Sequence, residues 1–107
     1  MKQLLNLLTI LCASISFGQA PTADFTASPL EVCVGTPINF TDASTAGAAP
    51  ITSRTWDFGD GSSSNDLNPT HTYSTAGTYT VTLVVTDQNG VADPEVKPAY
   101  ILSLIHI

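Results

Sequence analysis

One stretch limits the fold more than any other. Residues 78–86 place Tyr79, Val81, Leu83 and Val85 on one side of an extended chain and threonines on most of the other. A period of two marks a strand with one dry and one wet face, and threonine suits the wet side of a pleated surface. Gly77 opens this strand, Asp87 closes it, and Asn89-Gly90 signals a hairpin that returns antiparallel. Pro94 and Pro98 confine the returning strand to a sheet edge.

The same period recurs upstream. Residues 23–28 alternate until Pro29, residues 32–34 form a short apolar piece, and Ile38 and Phe40 alternate with Asn39 and Thr41 up to Asp42. Small residues without periodicity fill 43–50, which reads as a loop. From Ile51 the chain extends again, with Arg54, Trp56 and Phe58 sharing a side and Asp57 opposed. Gly59-Asp60-Gly61 then supplies two positions free to take positive φ, so the strand turns sharply. Ser62 to Asn68 is a polar connection, and His71 and Tyr73 alternate with threonines in a further extended piece. Six or seven short strands, each dry on one side, require two sheets face to face. The expectation is an all-β, immunoglobulin-like sandwich of about seven strands. Trp56 should fill its middle, and the Tyr79 hydroxyl should bond backbone at the corner between sheets.

The 107 residues divide into 1–20, a secretory signal peptide; 21–101, one domain; and 102–107. The first segment has Lys2, an apolar run from Leu4 to Ala13 and small residues before Gln19. It predicts export to the medium or the cell surface. Cleavage after Gly18 is favoured over Ala20, since Pro21 would follow the latter cut. No stretch has the roughly 20 apolar residues of a transmembrane helix. The segment 102–107 reads as a non-native tail like translated sequencing-adapter sequence, or else as the end of a last strand with Leu102, Leu104 and His106 on one side. Beyond the signal, Arg54 and Lys97 face nine carboxylates, a net charge of −7. Nucleic acid would be repelled.

Chemistry finds little purchase. Asp57 and Asp60 as a glycosidase pair would need an enclosed cleft, and a glycine-rich turn on a small sandwich encloses nothing. The turn itself employs them: Asp57 can accept from backbone N–H groups and Asp60 can do so locally. Asp57, Asp60 and Asp66, with Ser62, are weak calcium candidates whose spacing is not that of an EF-hand. His71 has no nucleophile elbow to serve and is expected to bond the turn. Zinc fails on ligand count. No catalytic residue and no cofactor are expected. Asn39-Phe40-Thr41 matches a glycosylation acceptor, a cheap match inside a strand. Phe25, Phe40, Trp56, Phe58, Tyr73 and Tyr79 are assigned inward, leaving Tyr100 as the one ring spare for a sugar face.

Taken in order, Trp56-Asp57-Phe58-Gly59-Asp60-Gly61, then Asn68-Pro69-Thr70-His71-Thr72-Tyr73, then Gly77-Thr78-Tyr79 through Asp87 resemble a PKD domain, the polycystic-kidney-disease repeat, as does 35–40 upstream. The resemblance covers about residues 21–101. It implies an immunoglobulin-like sandwich that is not itself catalytic and acts as a spacer, adhesion or protein-interaction module of a larger exported bacterial protein. A carbohydrate- or collagen-binding accessory domain of a secreted hydrolase is the alternative. Partners would then be protein or polysaccharide, and neighbouring domains of a longer chain. Related bacterial domains with a cysteine near Cys33 often carry a second just after the hairpin turn, where this chain has Val91.

Overall fold

The computed structural model describes residues 19–105, so the segment read as a signal peptide lies almost wholly outside the described residues, as do His106 and Ile107. Eight strands follow in chain order: β1 (Phe25–Ser28), β2 (Glu31–Cys33), β3 (Pro37–Asp42), β4 (Ile51–Asp57), β5 (Ser63–Ser64), β6 (Thr70–Thr72), β7 (Gly77–Asp87) and β8 (Ala92–Leu104). They form a three-stranded sheet in the order β1-β3-β6 and a five-stranded sheet in the order β2-β8-β7-β4-β5. No helix occurs among the described residues, and the two-sheet, all-β expectation holds.

Alternation sets which side of each strand is dry. Val81, Leu83, Val85 and Asp87 of β7 are buried, and the intervening Thr82, Val84 and Thr86 are half-buried. From the facing sheet come Phe25, Ile38 and Phe40, and from β4 and its turn come Trp56 and Phe58. Trp56 has no accessible surface and meets Phe25 edge-on at 5.2 Å and Phe40 at 5.7 Å between ring centroids. Its indole N–H donates to the Asp66 carbonyl at 2.8 Å, so burial leaves no polar orphan. Asp87 closes β7 by accepting the Asn89 and Val91 N–H groups, both at 2.9 Å, and so shapes the β7–β8 hairpin.

Two features depart from the sequence reading, β5 and Tyr100. The polar connection after Gly61 contains β5, whose two residues pair with Trp56 and Asp57; so short an edge strand carries no hydrophobic period to read. β8 runs to Leu104, pairing with β2 in parallel, with Ile101 and Ser103 inward and Leu102 and Leu104 outward. The prolines of β8 do face an edge, since β2 pairs only with residues 102–104. Tyr100 is not spare: it is half-buried against Phe25, ring centroids 5.6 Å apart. Cys33 is half-buried opposite Leu104, at the far end of β8 from Val91. The intervening strand spans roughly 40 Å of extended chain. Positions 33 and 91 therefore cannot meet the geometry of a disulfide.

Ser103 offers a stability test. It is 1% exposed, and its Oγ is the one buried side-chain polar atom without a partner among the described residues. Ser103→Ala removes a desolvated hydroxyl without adding volume, so it should stabilise the domain by about 1 kcal/mol. A higher urea midpoint at unchanged slope is the expected reading, and an unchanged or lower midpoint would contradict it.

Candidate functional site

The residues singled out in the sequence converge where β4 ends against β6 and the start of β7. Trp56 and Phe58 point inward, and Asp57 between them is exposed. The Asp57 Oδ1 accepts the Gly59 N–H at 2.9 Å, and the Asp60 Oδ1 accepts the Ser62 N–H at 3.0 Å. The turn closes where the Phe58 N–H donates to the Ser62 carbonyl at 3.1 Å. Gly59 and Gly61 take φ of 86° and 93°. Both carboxylates thus serve backbone donors of their own turn, two residues ahead of each.

His71 comes from β6 on the other sheet. Its Nε2 stands 2.8 Å from the Asp60 Oδ2, and its ring lies flat on Phe58 at 4.2 Å. Tyr73 meets His71 edge-on at 4.6 Å and donates its hydroxyl to the Phe58 carbonyl at 2.7 Å. Tyr79 stacks on Tyr73 at 4.1 Å and donates to the Thr75 carbonyl at 2.5 Å, in the connection between the sheets. Tyr79 is only half-buried, because it belongs to this ring column at the corner rather than to the central core. Burial first, then the negative charge of Asp60 and its neighbours, pushes the Tyr73 phenol well above its ordinary value. It stays protonated and keeps donating.

Phe58, His71, Tyr73 and Tyr79 therefore form one continuous column, tied to the turn by two hydrogen bonds, His71 to the Asp60 carboxylate and Tyr73 to the Phe58 carbonyl, and to the β6–β7 connection by a third from Tyr79. The arrangement fastens a loop of one sheet to a strand of the other. Asp66 enters it through its main chain, its carbonyl accepting from Trp56 and its N–H donating to the Ser64 Oγ. Among the described residues no three His, Cys, Asp or Glu side chains gather in a group that could hold a metal ion. Gly77 begins β7 opposite Ser103. Asn39, the glycosylation match, accepts the Thr70 hydroxyl at 2.9 Å.

Sequence reasoning missed the second tie between the sheets. Arg54 Nε pairs with Asp42 Oδ2, joining β4 to β3. The available signal was parity: an arginine on the inward side of a strand needs an acid opposite. Lys97, which the sequence offered only as a charge, pairs with Asp24 and Glu95 and sits 5.2 Å over the Phe25 ring.

The acids give the domain a definite pH response. Burial raises the Asp42 carboxyl, but hydrogen bonds from Ser44 and Arg54 outweigh it and hold the group below its usual value. At Asp60 burial is likewise outweighed, by His71 and Ser62. A carboxyl depressed by folding contributes stability that is complete above its unfolded value, about 3.9, and lost as pH falls through the folded one. The melting midpoint should therefore change little from these groups between about pH 7 and 5 and fall below about pH 4. Asp42→Asn should make that acid limb shallower; an unaltered limb would show that the Arg54 pair does not persist in solution.

The geometry has close counterparts. The model of the PKD domain matches residues 18–101. The crystal structure of the PKD1 domain from the Vibrio cholerae metalloprotease PrtV is 34% identical, with a TM-score of 0.67 over 77% of this chain and 96% of that one. A structure described for carbohydrate-binding modules of the β-sandwich superfamily is 32% identical at a TM-score of 0.76, covering 81% of this chain and 35% of its own. A microbial collagenase of Vibrio alginolyticus is 45% identical over 73 residues, 67% of this chain and 9% of the collagenase. Collagenase ColA of Bacillus cereus is 49% identical over 45 residues, 42% of this chain and 5% of that protein. The chain thus spans less than a tenth of the curated relatives it matches. With the family model covering most of its length and the turn, ring column and two-sheet topology in place, this chain belongs to the PKD domain family.

Proposed function

We propose that the chain is a non-catalytic, extracellular PKD module that spaces, presents or attaches neighbouring parts of a larger exported bacterial protein. The carrying observation is how the polar and aromatic groups at the turn are spent. Both Asp60 oxygens, the Asp57 Oδ1, the His71 Nε2 and the Tyr73 and Tyr79 hydroxyls bind groups of the domain itself. Every described aromatic ring packs on another ring. A reaction or a stacked sugar needs groups left over, and this site spends them on rigidity. Resemblance to parts of collagenases and of PrtV supports a place beside a secreted protease domain.

One observation favours a second reading, a carbohydrate- or collagen-binding accessory domain: the likeness to the structure described for carbohydrate-binding modules. Passing the domain over chitin, cellulose and insoluble collagen separates the two. Flow-through on all three, with cooperative and reversible melting, is the result expected of a self-contained spacer. Retention that survives moderate salt would overturn it in favour of the binding module.

A further inference from the structure

The segment just before β1 is built into the sandwich along its whole described length. Thr22 and Thr45 exchange both backbone hydrogen bonds at 2.8 Å, and Pro21 is fully buried. The Ala23 N–H donates to the Asp93 Oδ2 at 2.8 Å. One step further out, the Ala48 N–H donates to the Gln19 carbonyl at 3.1 Å. Gly47 lies directly under this segment: a Cβ there would overlap the Ala20 carbonyl oxygen and stand 2.6 Å from the Gln19 carbonyl oxygen. The loop is shaped for residues 19 and 20 to be present.

This bears on where an export signal is removed, and so rests on the exported reading above. A cut after Ala20 would take away the acceptor of the Ala48 N–H and empty the space over Gly47. It would also leave proline first after the cut. A cut after Gly18 keeps every one of these contacts and has Gly18 and Ser16 at the small-residue positions that signal cleavage requires. We propose that processing occurs between Gly18 and Gln19, and that the exposed Gln19 is then a modification site, closing to pyroglutamate.

The step balances without a co-reactant. The new α-amino nitrogen attacks the side-chain carbonyl carbon Cδ, a five-membered lactam forms, and the side-chain nitrogen leaves as ammonia. The lactam nitrogen is no longer basic, so the terminal positive charge disappears. The carbonyl of residue 19 is untouched, and its bond from Ala48 survives the modification. Gln19 is exposed, which leaves room for ring closure.

The test is to export the full chain from a bacterial host and take the mass spectrum of the first peptide of the secreted protein. The expected peptide starts at residue 19, is lighter than its sequence by one ammonia, and resists Edman degradation until pyroglutamyl peptidase is added. Gln19→Ser should start at the same residue with an open amine. A first residue of Pro21, or an uncyclised Gln19, would overturn the proposal while leaving export intact. A cell-retained chain still carrying residues 1–18 would instead overturn the exported reading and the proposal with it. Independently of export, a chain starting at Pro21 should melt about 4–8 °C below one starting at Gln19; equal midpoints would remove the structural case for the cut.

Discussion

Trp56→Ala should leave the domain unfolded or without fixed packing at room temperature. The indole has no accessible surface and contacts rings from both sheets, Phe25 and Phe40 on one side and Phe58 on the other. Truncating such a residue costs about 3–5 kcal/mol in lost burial and residual cavity. The Asp66 carbonyl also loses its donor, adding about 1 kcal/mol. A domain of this size is stable by only about 4–13 kcal/mol in all. Trp56→Phe is the informative companion. It keeps a ring in place but not the indole N–H, and should cost about 2 kcal/mol while folding cooperatively. Circular dichroism during urea titration reads both variants, since the chain has one tryptophan and each change removes it as a fluorophore. A cooperative Trp56→Ala protein with a wild-type midpoint would mean that the two sheets do not depend on this residue.

The sheets were legible because their information is local. In β7 nine consecutive residues repeat one period, and burial follows it, with Val81, Leu83 and Val85 dry. The turn after Phe58 was legible for the same reason: Asp57 and Asp60 bond backbone two residues ahead, within reach of any sequence window. What was not legible lies across the fold. Arg54 meets Asp42 over twelve residues, and Ala23 meets Asp93 over seventy. No period encodes such pairs. The end of β8 supports two readings in the sequence because Leu102 to Leu104 has too few residues to establish a period. Its partner β2 comes from the other end of the chain. Tyr100 appeared spare for a related reason. Three residues of β8, 98 to 100, lie opposite the single Thr80, and that bulge turns the ring toward Phe25, where simple alternation could not place it. The site shows the same division. The acids of the turn were found from spacing, whereas the column from Phe58 through His71 and Tyr73 to Tyr79 needed three strands and a turn to be assembled first.

Gly59→Ala should be nearly as damaging as loss of the tryptophan, although it adds a single methyl group at an exposed position. Two costs coincide there. The residue holds φ at 86°, a conformation that costs an L side chain about 1–2 kcal/mol. Its Cβ would also overlap the Thr80 carbonyl oxygen and press to 3.2 Å from the Thr80 nitrogen. Those atoms belong to the main chain of β7, just beyond its last pair with β4 at Asp57 and Thr82, and main-chain atoms cannot swing aside as the end of a side chain would. Moving the turn away instead would strain the bonds that Phe58 makes to Ser62 and Tyr73. The combined loss should be about 3–4 kcal/mol. Gly61 supplies the control, because it shares the positive φ, at 93°, but a Cβ there meets nothing within 4 Å. Gly61→Ala should therefore cost only the conformational part, about 1–2 kcal/mol. The difference between the two variants in urea midpoint measures how closely the turn is pressed onto β7. Equal losses would show that Gly59 is required for its backbone angles alone, and that the turn does not seat against Thr80 in solution.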